Sequence, residues 1–370
     1  MGENDIPPFR APWWLKGRQL QSIAAAYLPV HVPPDMPEDE IHEVLVAPGS
    51  AVRVHLTRPK GRPRGVMLLL HGLGGNATSR LILRGAVEFW QRGWAVARMN
   101  YRNCGGTASL ASTLYNAGMS GDIATLLESP PIASFGVPRA AIGYSLGGNM
   151  LLKYLGEAAR PREQEGAHDS LGSGRTLEGD GPGRAGRALP HLGRGAALDA
   201  AVAVSPPVDL AMACRNLERA RNLGYHFAFT NALLRLVKQR HRLESGGPRP
   251  SILRTPTLRR FDARHTAPDA GYSSPDEYYR GASSGPLIHR IDVPTLVVTS
   301  RDDPIIPVEM FRPYASLNHS LKFVFSDRGG HCGWIEWREG KLTSWLPRIA
   351  IDFLERAIAD PAGVAGRRPS

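Results

Sequence analysis

Residues 140–152 constrain the fold of this chain more than any other stretch, because a buried strand there runs directly into a helix. The sequence is AAIGYSLGGNMLL, and its apolar run stops at a pentapeptide that begins with Gly143 and ends with Gly147. Ser145 stands at the centre, where a turn this tight forces a strained backbone and leaves no room for a side chain at either glycine. A G-x-S-x-G turn of this kind holds a serine hydroxyl above a sheet, beside the positive end of a helix.

Buried strands and helices alternate on both sides of this turn. A continuously apolar run at residues 65–70 is followed by a helical pattern at 79–91 and a second predicted buried strand at 94–99. Strands that are covered on both faces and separated by helices predict a mostly parallel sheet with helices on both sides, which is an α/β fold. Later segments extend this prediction, with strands at 198–204, 295–299 and 321–325 and a closing helix at 344–358.

The remaining segments predict the organisation of the chain. Residues 1–40 contain several prolines and one helical patch, and we expect an N-terminal arm on the outside of the domain. Residues 41–47 and 52–57 alternate around a Pro-Gly-Ser turn, which predicts an antiparallel strand pair at the sheet edge. The predicted units are an arm (1–40), a first part of the core (41–206), a helical cap (207–285), a second part of the core (286–358) and a disordered tail (359–370).

Residues 160–195 interrupt the core with a different composition. They hold nine glycines and three prolines in 36 residues, with six arginines and five acids. Such a segment cannot bury enough apolar surface to offset its ordering entropy, so we expect a disordered insertion. The helix that follows Ser145 starts at the edge of the sheet where Ser145 lies, and it leads away from that edge. The insertion is therefore expected at the opposite edge.

In parallel sheets ligands bind at the carboxyl ends of the strands, so the loop after each strand has a predictable position. The loop after residue 70 reads His71-Gly72-Leu73-Gly74-Gly75, and we expect it beside Ser145. In this architecture one N–H of that loop and the N–H of the residue after the serine bind the oxyanion of an acyl-transfer intermediate. We assign these two donors to Leu73 and Leu146. For His71 we expect a supporting hydrogen bond rather than proton transfer.

Two further loops at the same edge supply a base and an acid. A serine hydroxyl is a poor nucleophile at neutral pH, so a histidine must take its proton and an acid must hold that histidine in the correct tautomer. His331 follows the strand at 321–325, and its position after Ser145 and an intervening Asp is the chain order that this fold uses.

Three aspartates compete for the role of the acid. Asp302 and Asp303 follow the strand at 295–299, and Asp209 follows the strand at 198–204. We favour Asp303 because the turn D-x-x-x-P begins with it.

Composition and charge argue against several classes of protein. The net charge is +11, but no basic run stands beside an aromatic platform, so we expect no nucleic-acid partner. The cysteines at 104, 214 and 332 are too scattered for a disulfide framework or a zinc site, and we expect neither a metal nor a cofactor. We expect a buried thiol at Cys104. The chain has neither an apolar run long enough to span a membrane nor a signal-peptide core, which predicts a cytoplasmic protein.

Residues 207–285 carry thirteen Lys and Arg against seven Asp and Glu, which leaves a charge of +6. Phe229, Leu233, Leu236 and Val237 form an apolar face at helical spacing. We interpret this segment as a cap over Ser145. Its basic residues would either contact lipid surfaces or simply face solvent.

Five motifs together resemble one branch of a known family. They are His71 to Gly75, Asn100-Tyr101-Arg102-Asn103-Cys104-Gly105-Gly106, Gly143 to Asn149, the stretch from Phe261-Asp262 to Tyr278-Tyr279, and Gly329-Gly330-His331. They are similar to family 4 of the α/β-hydrolases, whose members include bacterial esterases and eukaryotic enzymes acting on acyl esters and phospholipids. The resemblance covers most of residues 66–358 outside the insertion. Asn103 departs from it, because the family usually has Gly there.

This resemblance implies a triad of Ser145, Asp303 and His331 and the hydrolysis of carboxylic esters with short or medium acyl chains. We therefore hypothesise a cofactor-free serine esterase that works through an acyl-enzyme on a small-molecule acyl ester. One alternative is an acyltransferase that passes the acyl group to an alcohol. Another is a non-catalytic binding module on the same scaffold.

Overall fold

The computed structural model describes residues 6–160, 193–243 and 255–361, without the side chains of 241–243. Most of the predicted insertion and of the predicted tail therefore lies outside the described residues. The strands are β1 (Glu40–Ala47), β2 (Ser50–Thr57), β3 (Val66–Leu70), β4 (Ala95–Asn100), β5 (Arg139–Tyr144), β6 (Ala200–Val204), β7 (Thr295–Ser300), β8 (Leu321–Ser326), β9 (Ile335–Arg338) and β10 (Lys341–Ser344).

Helices alternate with the strands. The α-helices are α1 (Arg18–Tyr27), α2 (Arg80–Gln91), α3 (Ser120–Glu128), α4 (Pro130–Ala133), α5 (Leu146–Ala158), α6 (Leu210–Leu217), α7 (Leu223–Leu243), α8 (Leu258–Phe261), α9 (Ala267–Asp269), α10 (Pro275–Ala282) and α11 (Trp345–Ala359). Short 3-10 turns occur at Trp13–Leu15, Ala108–Leu110, Ala220–Asn222, Gly285–Arg290 and Val308–Phe311, and a π turn at Asp262–Thr266. Among the helices so described, none is both long and apolar enough to cross a membrane.

The central sheet has eight strands in the order β1-β2-β4-β3-β5-β6-β7-β8. Strands β1 and β2 pair antiparallel at one edge, β2 is antiparallel to β4, and every other neighbouring pair is parallel. The predicted mostly parallel sheet and its antiparallel edge pair are thus confirmed. Leu70 pairs with Gly143, and Val204 pairs with Tyr144. Strands β3, β5 and β6 therefore end at nearly the same level, and the loops that follow them meet at one edge.

Two apolar layers enclose the sheet, as the side chains of β3 show. Leu68 and Leu70 pack into the cluster that includes α3 and α5, whereas Met67 and Leu69 pack into the cluster of α2 and α11. All four are fully buried, and each stabilises the fold by about 1.5–3 kcal/mol relative to an exposed side chain. A continuously apolar strand is required here because helices cover both of its faces.

The helices α6 to α10 follow β6 and lead into β7. Leu233 of α7 is buried and Phe229 is half-buried, and both pack against the core cluster that contains Leu146. The apolar face of α7 therefore points towards the carboxyl end of the sheet. That this segment acts as a cap over Ser145 stays a prediction.

The two described ends of the segment around 160–195 meet at the far end of α5. Gly193 N–H donates to the Glu157 carbonyl at 3.1 Å, and Gly195 N–H donates to the Ala158 carbonyl at 2.7 Å. Helix α5 has 13 residues, so its last turn lies roughly 20 Å from Ser145 at about 1.5 Å per residue. The segment therefore leaves and rejoins the core away from the edge where Ser145 lies.

Candidate active site

Ser145 lies at a strained turn between β5 and α5. Its backbone has φ 52° and ψ −118°, a conformation that side chains rarely adopt, and its N–H donates to the Val204 carbonyl at 2.8 Å. A Cβ at Gly147 would stand 2.6 Å from the Leu70 carbonyl oxygen, and a Cβ at Gly143 would collide with the Gly147 carbonyl. The turn therefore requires both glycines. It fixes the serine hydroxyl at the carboxyl edge of the sheet.

The structure brings Ser145, His331 and Asp303 together. His331 Nε2 lies 2.9 Å from Ser145 Oγ, and His331 Nδ1 lies 2.9 and 3.2 Å from the two oxygens of Asp303. Asp303 is held in turn by the N–H groups of Ile305 and Ile306, which donate to its Oδ1 at 2.8 and 2.9 Å. The three side chains form a continuous hydrogen-bonded chain from carboxylate to hydroxyl.

The carboxylate also controls the charge of the imidazole. Burial by itself lowers the pKa of His331. The negative charge of Asp303, its hydrogen bond and the neighbouring Cys332 together outweigh burial and hold that pKa well above its ordinary value. An imidazolium formed during a reaction would therefore be stabilised. In the neutral imidazole, the Asp303 bond places the proton on Nδ1 and leaves Nε2 free to accept the serine proton.

The other two candidate acids have different partners. Asp302 Oδ1 accepts the N–H of Gly330 at 2.9 Å, so it supports the histidine loop from outside. Asp209 accepts the N–H of Met212 at 2.8 Å and caps the start of α6.

The loop that carries His331 has an unusual backbone. Gly329, Gly330, Cys332 and Trp334 all have positive φ, at 149°, 58°, 57° and 52°. Such a conformation costs about 1–3 kcal/mol at each non-glycine residue, and it persists only where the surroundings impose it. The loop therefore depends on its neighbours for its shape.

Helix α1 of the N-terminal arm is one of these neighbours. Ser22 Oγ accepts the N–H of His331 at 2.8 Å and donates to the Arg18 carbonyl at 2.8 Å. The amide of Gln21, fully buried, donates to the carbonyls of Leu15 and Ile335 and accepts the N–H of Ile335. Analysis of the sequence missed these contacts, because polar residues on a surface helix ordinarily face solvent.

The loop at residues 71–75 lies against Ser145. A Cβ at Gly72 would stand 3.2 Å from Ser145 Cβ, and the backbone is held by Tyr101, whose hydroxyl donates to the His71 carbonyl at 2.9 Å. Tyr115 Oη accepts the N–H of Gly74 at 2.8 Å. Neither tyrosine was singled out from the sequence. Both hold the backbone of the loop in place by hydrogen bonds.

His71 itself takes a supporting position. Its Nδ1 lies 2.8 Å from the Gly72 carbonyl, and burial lowers its pKa to about 4 although this hydrogen bond opposes the shift. The ring is therefore neutral at physiological pH, with the proton on Nδ1.

The two amides assigned to the oxyanion differ in their surroundings. Leu146 is the first residue of α5, where backbone N–H groups have no acceptor within the helix. The Leu73 N–H lies in the loop and has no protein acceptor in the part of the chain that the structure describes. Both amides are thus available to an incoming oxygen.

Asn103 and Cys104 lie in the loop after β4. Asn103 has φ 62°, a left-handed conformation that asparagine tolerates better than other side chains. The loop therefore keeps a glycine-like backbone although the glycine typical of the family is absent. Cys104 is fully buried, as predicted, and burial raises the pKa of its thiol far above its ordinary value.

A cavity of about 80 Å³ lies beside Ser145, between the core and the helices α6 to α10. Most of its wall is apolar and includes Leu146, Leu210 and Leu233. Asp262 adds one buried carboxyl to this wall; it accepts the Tyr279 hydroxyl at 2.7 Å, and burial raises its pKa to about 6. The motif from Phe261-Asp262 to Tyr278-Tyr279 therefore contributes to the wall of the cavity. Within the described ranges, no group of three or more His, Cys, Asp or Glu side chains could hold a metal ion.

The chain is similar to several known proteins. Residues 67–339 match the model of a family described as "Alpha/beta hydrolase family". The chain is 29% identical over 301 residues to "Putative esterase YheT" of Escherichia coli, covering 77% of this chain and 76% of that protein. It is 24% identical over 302 residues to human "Phospholipase ABHD3", covering 80% of this chain and 64% of the relative, which is less than two thirds of its length. Among solved structures, Est1E from Butyrivibrio proteoclasticus aligns with a TM-score of 0.48 and 13% identity over 87% of this chain and 99% of Est1E.

Proposed function

Because the chain belongs to the alpha/beta hydrolase family, we propose that it is a serine hydrolase that cleaves carboxylic esters through an acyl-enzyme. The observation that carries this proposal is the hydrogen-bonded chain from Asp303 through His331 to Ser145. A histidine that only stabilised the fold would not need to join a buried carboxylate to a serine on a strained turn. Two relatives are named "Putative esterase YheT" and "Phospholipase ABHD3", which supports the same class of substrate.

The geometry supports the following reaction. His331 Nε2 takes the hydroxyl proton of Ser145 while Oγ attacks the ester carbonyl, and the N–H groups of Leu73 and Leu146 bind the oxygen that becomes negative. The imidazolium returns the proton to the leaving alkoxide, which departs as an alcohol. Water then loses a proton to the same nitrogen and attacks the acyl carbon. Oγ departs, recovers that proton, and the acid is released.

The size of the cavity favours short acyl groups. An engineered cavity of about 150 Å³ in another protein accommodates benzene, and the cavity beside Ser145 has about 80 Å³. An acyl group of about two to four carbons would fill it without movement of the helices α6 to α10. The apolar wall would bind such a group by excluding water from it.

A series of p-nitrophenyl esters from acetate to decanoate tests the proposal, with Ser145→Ala as the control. We expect hydrolysis that is fastest for acetate or butyrate, falls for longer chains and disappears in Ser145→Ala. A fluorophosphonate probe should label the wild-type protein at Ser145 and leave the variant unlabelled. Folded wild-type protein that neither hydrolyses any of these esters nor reacts with the probe would refute the proposal and favour a binding module.

The same assay distinguishes hydrolysis from acyl transfer. Short alcohols such as ethanol or butanol are added, and the products are measured as free acid or as new ester. We expect free acid to remain the main product, because the described residues around the cavity include no group that selects an alcohol over water. Predominant formation of ester at low alcohol concentration would identify an acyltransferase instead.

A further inference from the structure

The N-terminal arm reaches the catalytic edge, and its two faces lead to two separate inferences. The inner face of α1 is polar and buried. Gln21 is fully buried and Ser22 is nearly so, although both lie on a surface helix. A Cβ at Gly330 would collide with the Arg18 carbonyl, so the helix and the His331 loop are in direct backbone contact.

We propose that Ser22 is a positioning residue for the triad, an inference that rests on the proposed function. The Ser22 hydroxyl is the acceptor of the His331 N–H, and Gln21 ties the same helix to Ile335 just beyond the loop. Asp302 and Ser300 hold Gly330 from the opposite side, through its N–H and its carbonyl. The backbone at His331 is therefore clamped between the arm and the end of β7. Loss of the clamp on the arm side leaves a buried N–H without an acceptor and lets a strained loop move.

Kinetics of Ser22→Ala test this role. We expect kcat for p-nitrophenyl butyrate to fall about 5- to 30-fold, the effect of leaving one buried donor unpaired, with KM within twofold. Ser22→Thr keeps the hydroxyl and should restore most of kcat. Hydrogen exchange at the His331 amide should accelerate in Ser22→Ala, which reports the position of the loop independently of turnover.

Ala25→Gly is the matched control. Ala25 is buried on the same helix against Leu15 and Ile335. Removing its methyl group should lower the Tm of the protein without a change in kcat. Wild-type kcat and amide protection in Ser22→Ala, or an equal fall of kcat in Ala25→Gly, would refute the positioning role. Absence of ester hydrolysis in the wild-type protein would instead refute the proposed function.

The outer face of the arm is apolar. Trp13, Trp14, Leu20, Ile23 and Tyr27 form this arm surface, and Trp13 and Tyr27 are 80% and 73% exposed. The polarity of α1 is thus inverted relative to an ordinary surface helix, which places its apolar side chains in the core. Five large exposed side chains within 15 residues of sequence indicate a binding surface.

The charges around the arm surface are mostly positive. Arg84 and Arg328 donate to backbone carbonyls of the arm. The nearby acids Glu336 and Glu339 are already paired with arginines. Residues 6–34 contain Arg10, Lys16 and Arg18 and no Asp or Glu. Trp337 of β9 adds a further ring that is 58% exposed, on the strand that contacts α1. Tryptophan and tyrosine rings with nearby basic side chains suit the boundary between lipid headgroups and acyl chains.

We propose that the arm surface docks on an anionic lipid layer. A symmetric contact with a second copy of the chain would bring the same excess of basic residues together, which disfavours self-association. Anionic headgroups instead supply the missing charge. The inner face of α1 contacts the His331 loop, so a docked arm would hold the catalytic edge within about one helix diameter of the lipid, roughly 10 Å.

Flotation with lipid vesicles tests the docking. The full-length protein should float with vesicles containing 30% phosphatidylglycerol at low salt, at least tenfold more than with pure phosphatidylcholine, and less at high salt. Trp13→Ser combined with Tyr27→Ser should abolish flotation. Phe227→Ser, which removes a ring that is 60% exposed on α7, should keep it.

Two results would overturn the docking proposal. One is equal flotation of the double variant and the wild-type protein, or no flotation of either. The other is a wild-type dimer in light scattering that becomes a monomer in the double variant, because a second copy would then occupy the arm surface.

Discussion

Replacing Asp303 with Asn tests the triad, because both oxygens of this carboxylate accept hydrogen bonds that an Asn cannot all replace. Oδ1 of Asp303 accepts two backbone N–H groups, from Ile305 and Ile306, and Oδ2 accepts from His331 Nδ1. The oxygen of Asn must keep the two backbone bonds, so its NH2 group faces Nδ1 at the position of Oδ2. Two donors would then oppose each other at about 2.9 Å.

The imidazole can relieve this conflict only by moving its proton. In Asp303→Asn, Nδ1 becomes the acceptor and Nε2 carries the proton, so Nε2 can no longer take the proton of Ser145. In a serine protease with the same arrangement this substitution lowers kcat about 10⁴-fold, which is about 5 kcal/mol of transition-state stabilisation. The alternative is to turn the Asn round and leave two backbone donors unpaired, at about 2–6 kcal/mol. We therefore expect kcat to fall by about 10²- to 10⁴-fold.

The pH profile supplies a second readout. In the wild-type protein Asp303 raises the pKa of His331, and the base must be neutral, so kcat/KM should rise with pH through that elevated pKa. Without the carboxylate, the largest contribution that opposes burial is lost, so the pKa falls. The acid limb of the residual activity in Asp303→Asn should therefore move to lower pH.

Asp302→Asn and Asp209→Asn are the matched controls, since each removes one negative charge near the same edge. Asn can still accept the N–H of Gly330 or cap α6, so we expect each variant to keep kcat within tenfold of the wild type. Hydrolysis of p-nitrophenyl butyrate from pH 5 to 9 measures all three variants. Activity of Asp303→Asn within tenfold of the wild type, together with a hundredfold loss in Asp302→Asn, would refute the assignment.

Three further perturbations follow from the geometry. Gly147→Ala places a methyl group 2.6 Å from the Leu70 carbonyl oxygen. Urea unfolding should show that the free energy of unfolding falls by about 1–3 kcal/mol or more, or the variant should yield no soluble protein. An unfolding midpoint like that of the wild type would contradict the close packing. Deleting residues 162–194 should leave kcat within twofold, because both described ends meet far from Ser145; a collapse in turnover with folding preserved would contradict that placement. Leu210→Trp narrows the cavity and should shift the nitrophenyl ester preference from butyrate towards acetate; an unchanged preference would argue that the acyl group lies elsewhere.

Asn103 shows that a sequence pattern can predict a loop without predicting the backbone conformation of each residue in it. The pattern identified a polar loop after β4 and a departure from the family at one residue. Whether that departure changes the loop depends on φ, and the structure shows the left-handed conformation that asparagine shares with glycine. A single residue type could not decide this, because asparagine also adopts ordinary extended and helical backbones.

The sequence by itself determined the parallel sheet, the turn at Ser145 and the edge at which His331 lies. These follow from local hydrophobic patterns and from the fact that the loops after parallel strands share one edge of the sheet. It also limited the acid to three aspartates.

Only the tertiary structure decided which aspartate contacts the imidazole of His331 and which residue accepts its backbone N–H. Asp302 and Asp303 are adjacent in sequence, and the backbone after β7 sends one to His331 and the other to Gly330. Ser22 lies 309 residues from His331, yet its hydroxyl is the acceptor of that backbone N–H. A hydrogen bond across that distance depends on the packing of the whole arm against the core, and no local pattern carries that information.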